Sequence, residues 1–275
     1  MLTDYHVHLR PDEPGTTAEL YFSEENAARY RAAADAAGIA ELGVSEHIHR
    51  FTQALEIWRH PSWVEEAEDD LGDYCDYLAG AGLRVGIEAD WIHGAEERIA
   101  GVLDPHDFDY VLGSVHFLGE FTVDWDRWDV WDAYSGDPDR VWERYFTELA
   151  AAARSGLFDV MAHPNLVKVW GAARPGPQRD PRHYYEIAVE AFLAGDVAAE
   201  VSTAGLRKPV GELYPAPAFA EMLAEAGVPL TISSDAHVPE HVGYEYDRAL
   251  ELFEAIGVGE IAVYEGRRRR MERIG

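Results

Sequence analysis

The chain has 275 residues, and its 23 Lys and Arg residues against 51 Asp and Glu residues give a formal net charge of −28. So acidic a surface repels phosphate backbones, and the single basic run at residues 267–270 is too short to offset it, which argues against a nucleic-acid-binding protein. A lone cysteine, Cys75, excludes a disulfide framework and a cysteine-based zinc site.

No stretch of the chain approaches the ~18 consecutive apolar residues that a membrane span requires. Residues 1–4 lack the basic start and apolar run of a secretory signal. The sequence therefore predicts a cytoplasmic protein that does not bind membranes. It gives no indication of the oligomeric state.

Short β-type runs alternate with longer helical runs along the chain. The predicted strands cover residues 2–9, 39–47, 84–91, 109–116, 159–163, 197–203, 229–235 and, as an eighth candidate, 260–264. The predicted helices cover residues 23–37, 62–81, 95–103, 138–155, 181–193, 215–226 and 243–256. Seven or eight βα units in succession indicate a parallel sheet, which at this length closes most economically into a barrel.

No linker of biased composition divides the chain, so we expect one domain over residues 1–275. The two irregular stretches, residues 10–20 and 171–179, each follow a histidine at a strand end. We expect both to form loops over a site.

Half of the 12 histidines stand at the ends of predicted strands. His6 and His8 are two residues apart, so they face the same side of the first strand. The carboxyl ends of parallel strands meet at one mouth of a barrel, where active sites form. Glu88 and Asp235 end strands in the same way. The set that we expect to converge there is His6, His8, His47, His116, His163 and His237 with Glu88 and Asp235.

Imidazole and carboxylate ligands together suit Zn²⁺, Mn²⁺ or Fe²⁺. The six histidines and two carboxylates exceed what one ion can use, so the set predicts two or three divalent ions with a carboxylate bridging two of them. Such a cluster clamps the attacking and leaving oxygens of a phosphoryl group.

A single histidine at a strand end is most often an ordinary hydrogen-bonded residue, and it is the number of them that favours metal binding. The pair at His6 and His8 also opens amidohydrolase barrels. Among the remaining histidines only His49, two residues after His47, is a candidate to line the site.

These residues resemble the polymerase-and-histidinol-phosphatase (PHP) superfamily of metal-dependent phosphoesterases. The similarity runs in order through His6-Val7-His8, Glu46-His47, Glu88, His116, His163 and Asp235-Ala236-His237. The length and the passages around Glu88, His116, His163 and Arg207 are most similar to the stand-alone histidinol-phosphate phosphatases. The resemblance implies a distorted (β/α)₇ TIM-like barrel with a site for three ions.

Carried over position by position, the resemblance gives three ligand groups. The first ion would take His6, His8, Glu88 and Asp235; the second would share Glu88 and add His116 and His163; the third would use His47, His237 and one further ligand. Many relatives have a histidine where this chain has Pro14. Asp12, or in its place Glu13, is the substitute that we expect, because a carboxylate binds the same ions.

The phosphate of a substrate requires positive charge beyond the metals. Arg207 follows the sixth predicted strand, and its guanidinium has the shape that suits a phosphate. Lys168 is a second candidate and Arg10 a weaker one, and the alternative for each is a solvated loop cation. Phe117, Trp91 and Trp170 could flank an imidazole ring at the mouth.

The expected reaction is hydrolysis of L-histidinol phosphate, a small-molecule phosphate ester, by attack of a metal-bridging hydroxide on phosphorus. Arg207 would stabilise charge on the phosphoryl oxygens. The leaving oxygen needs a proton, for which Asp235, His237 and a metal-bound water are the candidates.

Three alternatives remain open at this stage. The same fold could act on a nucleotide or another small phosphoester. An amidohydrolase-type hydrolase shares the opening motif, but neither Lys168 nor Lys208 stands at a strand end to provide its bridging lysine. A non-catalytic PHP module would have lost metal ligands, whereas the main ligand positions are filled here.

Overall fold

The computed structural model describes residues 1–13 and 15–275, so Pro14, the position of the expected histidine, lies outside the described residues. The strands are β1 (Thr3–Asp4), β2 (Glu41–Val44), β3 (Arg84–Asp90), β4 (Tyr110–Ser114), β5 (Phe117–Leu118), β6 (Phe121–Thr122), β7 (Val160–Met161), β8 (Ala198–Ser202), β9 (Leu230–Ser233), β10 (Glu260–Glu265) and β11 (Arg268–Arg273).

Ten α-helices are present in the described part of the chain. They are α1 (Ala18–Tyr21), α2 (Glu24–Ala36), α3 (Pro61–Glu66), α4 (Leu71–Ala81), α5 (Glu96–Leu103), α6 (Val130–Ala133), α7 (Pro138–Arg154), α8 (Arg182–Gly195), α9 (Pro217–Ala226) and α10 (Tyr246–Ala255). None of them is both long enough and apolar enough to cross a lipid bilayer.

Seven strands form one parallel sheet in the order β1-β2-β3-β4-β7-β8-β9. The sheet curls round so that its two edges meet beyond the ends of β1 and β9, where Val7 pairs with Ala236 and the amide of His8 donates to the carbonyl of Ala236 over 2.7 Å. The residues of β4 are all buried, as expected for a strand covered on both faces. The predicted (β/α)₇ barrel is confirmed.

The floor of the barrel interior is filled by aromatic rings. Tyr5 and Tyr110 stack with their centroids 4.8 Å apart, and the Tyr110 hydroxyl donates to the carbonyl of Tyr5. A Cβ added at Gly43 or Gly86 would lie 2.3 or 2.2 Å from the Tyr110 ring or its hydroxyl, so both strands need glycine there. The rings close the barrel below the histidines.

Two predicted elements differ from the structure. The run at 260–264 is a strand, but it pairs antiparallel with β11 in a hairpin outside the barrel. The arginines at 267–270 therefore belong to a strand and its turn, and Arg267 Nε donates to Asp159 Oδ2 over 2.9 Å. The predicted helix 62–81 is two helices, α3 and α4. The Asp70 side chain caps the N-terminus of α4 by accepting hydrogen bonds from the amides of Gly72 and Asp73.

Candidate metal centre

The carboxylate of Glu88, near the end of β3, lies at the centre of a group of histidines. Its Oε1 is 2.9 Å from His163 Nε2 and 3.5 Å from His116 Nε2. Its Oε2 is 2.6 Å from His47 Nδ1, and the two remaining rings lie 3.4 and 3.7 Å away. The five rings surrounding this one carboxylate belong to His6, His8, His47, His116 and His163.

His6 and His8 face the same side, as their spacing predicts. Their Nε2 atoms lie 3.6 and 3.5 Å from Asp235 Oδ1, and both side chains are buried. Asp235 lies two residues after the end of β9 and has a backbone φ of +51°, a left-handed conformation that aspartate tolerates better than most residues. The structure therefore brings the first predicted ligand group together.

Asp12 lies on the loop that follows His8, over the mouth. Its Oδ2 is 2.9 Å from His237 Nε2 and 3.7 Å from His47 Nε2. No ion pair joins Glu13 to a cluster histidine within residues 1–13 and 15–275. Asp12 is thus the carboxylate that accompanies the third predicted group in this structure.

The four combinations of donor atoms close enough together to hold an ion share members. They are His8 with His47 and His237, His6 with His8 and Asp235, His6 with Glu88 and His163, and His47 with Glu88 and His116. Groups of nitrogen and oxygen donors of this kind fit borderline divalent cations.

The donor atoms support this fit, because several are buried without a hydrogen-bond partner among the described residues. They are His6 Nε2, both nitrogens of His8 and His163 Nδ1. A buried polar atom without a partner costs free energy, so these atoms fit coordination to a cation.

Three outer carboxylates lie beside the histidine rings, two of them within hydrogen-bond distance, and the sequence alone assigns none of them a role. Glu200 Oε1 lies 2.9 Å from His6 Nδ1, and its other oxygen accepts from the His163 amide. Asp90 Oδ1 lies 2.7 Å from His116 Nδ1, and Glu46 Oε2 lies 3.7 Å from His8 Nδ1. Such contacts fix which ring nitrogen faces a metal.

The signal for one of these residues was present in the strand pattern. Asp90 is two residues after Glu88, so both side chains face the same side of β3. Arg50 was also missed: it is 3 % exposed, and its guanidinium contacts Asp12 and lies 3.0 Å from Glu46 Oε2. It joins the Asp12 loop to the barrel.

The charges in the centre shift its pKa values strongly. Burial lowers the pKa of His116, but the carboxylates of Asp90 and Glu88 outweigh burial and raise it to about 9. Burial raises the pKa of Glu88, and the neighbouring histidines reverse this and hold it well below its usual range. Burial, together with the neighbouring His237 and His47, lowers the pKa of His8 to about 4. The Glu88 carboxylate is therefore charged at neutral pH.

The cations predicted to bind phosphate all have partners in the protein. Arg207 donates to the carbonyls of Ser234 and Asp235 over 2.7 and 2.9 Å, while its other terminal nitrogen is buried without a partner among the described residues. Lys168 pairs with Glu212 and donates to the carbonyl of Leu213. Arg207 therefore lies beside Asp235, and Lys168 on the turn that follows His163.

The remaining candidates lie further out. The His49 ring stacks on His47 at 4.9 Å, and its Nε2 is 3.2 Å from Glu66. Phe117 packs among other rings, with the centroid of Trp58 at 5.0 Å. Arg10 is buried and pairs with Asp69, so it is not a free loop cation.

The two other aromatic candidates are engaged elsewhere. The Trp91 indole donates to Glu148 of α7 over 2.8 Å, and the Trp170 indole donates to the carbonyl of Val123. Trp91 and Phe117 line a cavity of about 210 Å³ that also includes Trp58 and Glu148. This cavity lies between the barrel and α7.

Comparison with known proteins decides the family, because the model of the PHP domain matches residues 16–204. The chain belongs to the PHP domain family. A protein of Deinococcus radiodurans named probable histidinol-phosphatase is 32 % identical over 93 % of this chain and 94 % of its own length. A protein of Clostridium acetobutylicum with the same name, probable histidinol-phosphatase, is 24 % identical over 92 % of this chain and 93 % of its own length.

Solved structures of similar fold include a Listeria monocytogenes protein named as a histidinol phosphatase, with a TM-score of 0.74 at 19 % identity over 90 % of this chain and 99 % of that one. A second is histidinol phosphate phosphatase of Lactococcus lactis in complex with zinc, L-histidinol and phosphate. Its TM-score is 0.68 at 18 % identity over 98 % of both chains. At these identities the likeness concerns the fold, and it agrees with the predicted PHP-type barrel.

Proposed function

We propose that this PHP protein is a metal-dependent phosphatase that hydrolyses L-histidinol phosphate to L-histidinol and phosphate. The observation that carries the proposal is the position of Glu88, whose two oxygens face different histidines at the mouth of the barrel. The names of the relatives and the zinc, L-histidinol and phosphate bound to the Lactococcus lactis protein support the same substrate.

The chain would hold two or three divalent ions at this mouth, with Zn²⁺, Mn²⁺ and Fe²⁺ as candidates. His6, His8 and Asp235 would form one group and His116 with His163 another, and Glu88 would be shared between them. His47, His237 and Asp12 would form the third. Ions bound there lower the pKa of water and offset the negative charge of a phosphoryl group.

The protein's own side chains would bind the substrate and manage protons. Arg207, next to Asp235, would turn its partner-free nitrogen toward a phosphoryl oxygen, and Lys168 would approach from the turn after His163. With two ions bound, the His237 ring would be free of metal beside Asp12 and Asp235. It would then donate the proton that the leaving oxygen takes up, and Asp235 would hold its ring.

Substrate selection would rest on the acidic side of the mouth. Histidinol phosphate carries an ammonium and an imidazole besides its phosphate, and the protein has a net charge of −28. His49 and Glu66 lie 3.2 Å apart at the outer edge of the cluster, where they could receive the cationic end, and Phe117 borders the same side. We propose that residues 1–275 act as one domain on this small molecule.

The test is phosphate release from L-histidinol phosphate, with adenosine monophosphate as a competing phosphoester, in the presence of Mn²⁺ or Zn²⁺. We expect rapid release from L-histidinol phosphate that collapses in His116→Ala and persists in the matched surface variant His183→Ala. Faster release from the nucleotide would reject the proposed substrate and retain the phosphatase. Release from neither, by protein that holds its metals, would reject both.

A further inference from the structure

Among the tyrosines of the described chain whose side chains are almost wholly buried, Tyr214 differs from the others. The Tyr30 hydroxyl donates to the carbonyl of His8 and the Tyr184 hydroxyl to Asp139. The hydroxyls of Tyr5, Tyr74, Tyr110 and Tyr145 are likewise hydrogen-bonded. The Tyr214 hydroxyl is buried without any partner in residues 1–13 and 15–275. Since such a group costs free energy, it calls for a ligand.

The backbone holds Tyr214 rigidly against the carboxyl end of β8. The Ser202 amide donates to the Tyr214 carbonyl over 2.6 Å, and the Tyr214 amide donates back over 3.0 Å. A Cβ added at Gly205 would lie 2.0 Å from the Glu212 carbonyl and 3.0 Å from the Tyr214 ring, so only glycine admits this close approach. The ring is therefore fixed in place before any substrate arrives.

The surroundings of the ring are those of the metal centre. It meets the His163 ring edge-on, with centroids 6.3 Å apart, and Lys168 Nζ lies 5.5 Å from its centroid. A phenol hydroxyl carries its proton at neutral pH. The Tyr214 hydroxyl is therefore a neutral donor beside a cluster histidine and a phosphate-binding candidate.

We propose that the Tyr214 hydroxyl donates a hydrogen bond to a phosphoryl oxygen of the substrate, next to the ammonium of Lys168. The proposal rests on the phosphatase function proposed above and adds a substrate-contacting residue to it. A rigid, protonated donor close to the developing charge is the arrangement that stabilises phosphoryl oxygens. The hydroxyl keeps its proton throughout, and the bond that breaks is the ester bond of the substrate.

The experiment compares Tyr214→Phe with Tyr184→Phe, two buried variants that each lose one hydroxyl. The dissociation constant of inorganic phosphate is measured by calorimetry on manganese-loaded protein, together with the melting temperature and the kcat and KM for L-histidinol phosphate. For Tyr214→Phe we expect phosphate to bind about tenfold more weakly and kcat/KM to fall about 100-fold, with no loss of thermal stability. Tyr184→Phe should melt earlier and bind phosphate normally.

A lower melting temperature in Tyr214→Phe with unchanged phosphate binding would overturn the proposal, since it would mean a structural role. Wild-type protein that binds no phosphate would overturn it as well. If phosphate binding weakens as expected but L-histidinol phosphate is not hydrolysed, the Tyr214 contact stands and the proposed substrate fails. The two claims are thus separated by one set of measurements.

Discussion

Both ends of the barrel carry many charged side chains, but the charges are balanced in different ways. Below the barrel, carboxylates meet arginines of the C-terminal hairpin: Asp159 pairs with Arg267 at 2.9 Å and Glu41 with Arg270 at 3.0 Å. At the mouth, the ion-pair contacts of Glu88 and Asp235 are all with histidines in the described residues.

The difference indicates that the charges at the lower end serve the structure, whereas those at the mouth serve the function. An arginine stays charged at any relevant pH, so the lower end is neutralised by the protein itself. Histidines neutralise carboxylates only when they are protonated, and a protonated ring cannot bind a metal. The mouth therefore needs external cations, and removing single groups from the two ends should have opposite consequences for activity and stability.

The largest effect is expected for Glu88→Gln at the mouth. The amide keeps the shape but loses the charge that five histidines share, so metal content and phosphate release should both fall, the latter by about 1000-fold. Metal analysis by mass spectrometry and a phosphate-release assay check this. Activity within a few-fold of wild type would contradict the central place of Glu88.

The next effect concerns the outer carboxylate Asp90, whose Oδ1 is 2.7 Å from His116 Nδ1. Asp90→Asn should weaken metal binding or activity by about 10–100-fold, because the amide holds the ring less firmly and no longer raises its basicity. A titration of the metal-free variant with Mn²⁺ while activity is followed measures the loss. Asp132→Asn, on the exposed surface, serves as the matched control, and equal behaviour of the two would reject an orienting role.

A smaller effect should appear in the pH dependence of Lys168. Burial lowers the pKa of this ammonium to about 8, although Glu212 acts in the opposite direction. The charge is present below that pH and lost above it, so phosphate binding should weaken severalfold as the pH rises from about 7 to about 9. In Lys168→Met the binding should be weaker and this part of the pH dependence should disappear. If phosphate binding weakens with pH equally in wild type and in the variant, Lys168 is not the group that titrates.

The smallest effect is expected at the lower end. Arg267→Ala removes the contacts to Asp159 and to the carbonyl of Leu157, which should lower the free energy of unfolding by about 1 kcal/mol. Chemical denaturation measures the change. Activity per folded molecule should match wild type, and a parallel loss of kcat would show that the two ends are coupled.

Much of the mouth could be predicted, because the candidate metal ligands follow the ends of predicted strands and their order along the chain is visible. The histidines and Glu88 follow from position alone. The lower end of the barrel was harder to predict from the sequence. Residues 268–273 are almost all charged and show no apolar alternation, so nothing in them predicts β11. It pairs with β10, and arginines of this hairpin contact carboxylates of distant elements, such as Asp159 and Asp196.

The outer carboxylates illustrate a second limit. Glu200 stands on a buried strand, and only the folded barrel brings it to His6, which is 194 positions away in the chain. The Tyr214 hydroxyl is a similar case, because a missing partner can be seen only in three dimensions. Sequence position indicates which residues reach the mouth, whereas the contacts that orient them depend on the packing of separate strands.

The most direct test of the account is to strip the protein with a chelator and follow phosphate release from L-histidinol phosphate before and after Mn²⁺ or Zn²⁺ is returned. The account predicts that activity disappears with the metal and returns with it, while the stripped protein keeps its barrel by circular dichroism. Full activity in folded protein shown to contain no divalent metal would contradict it.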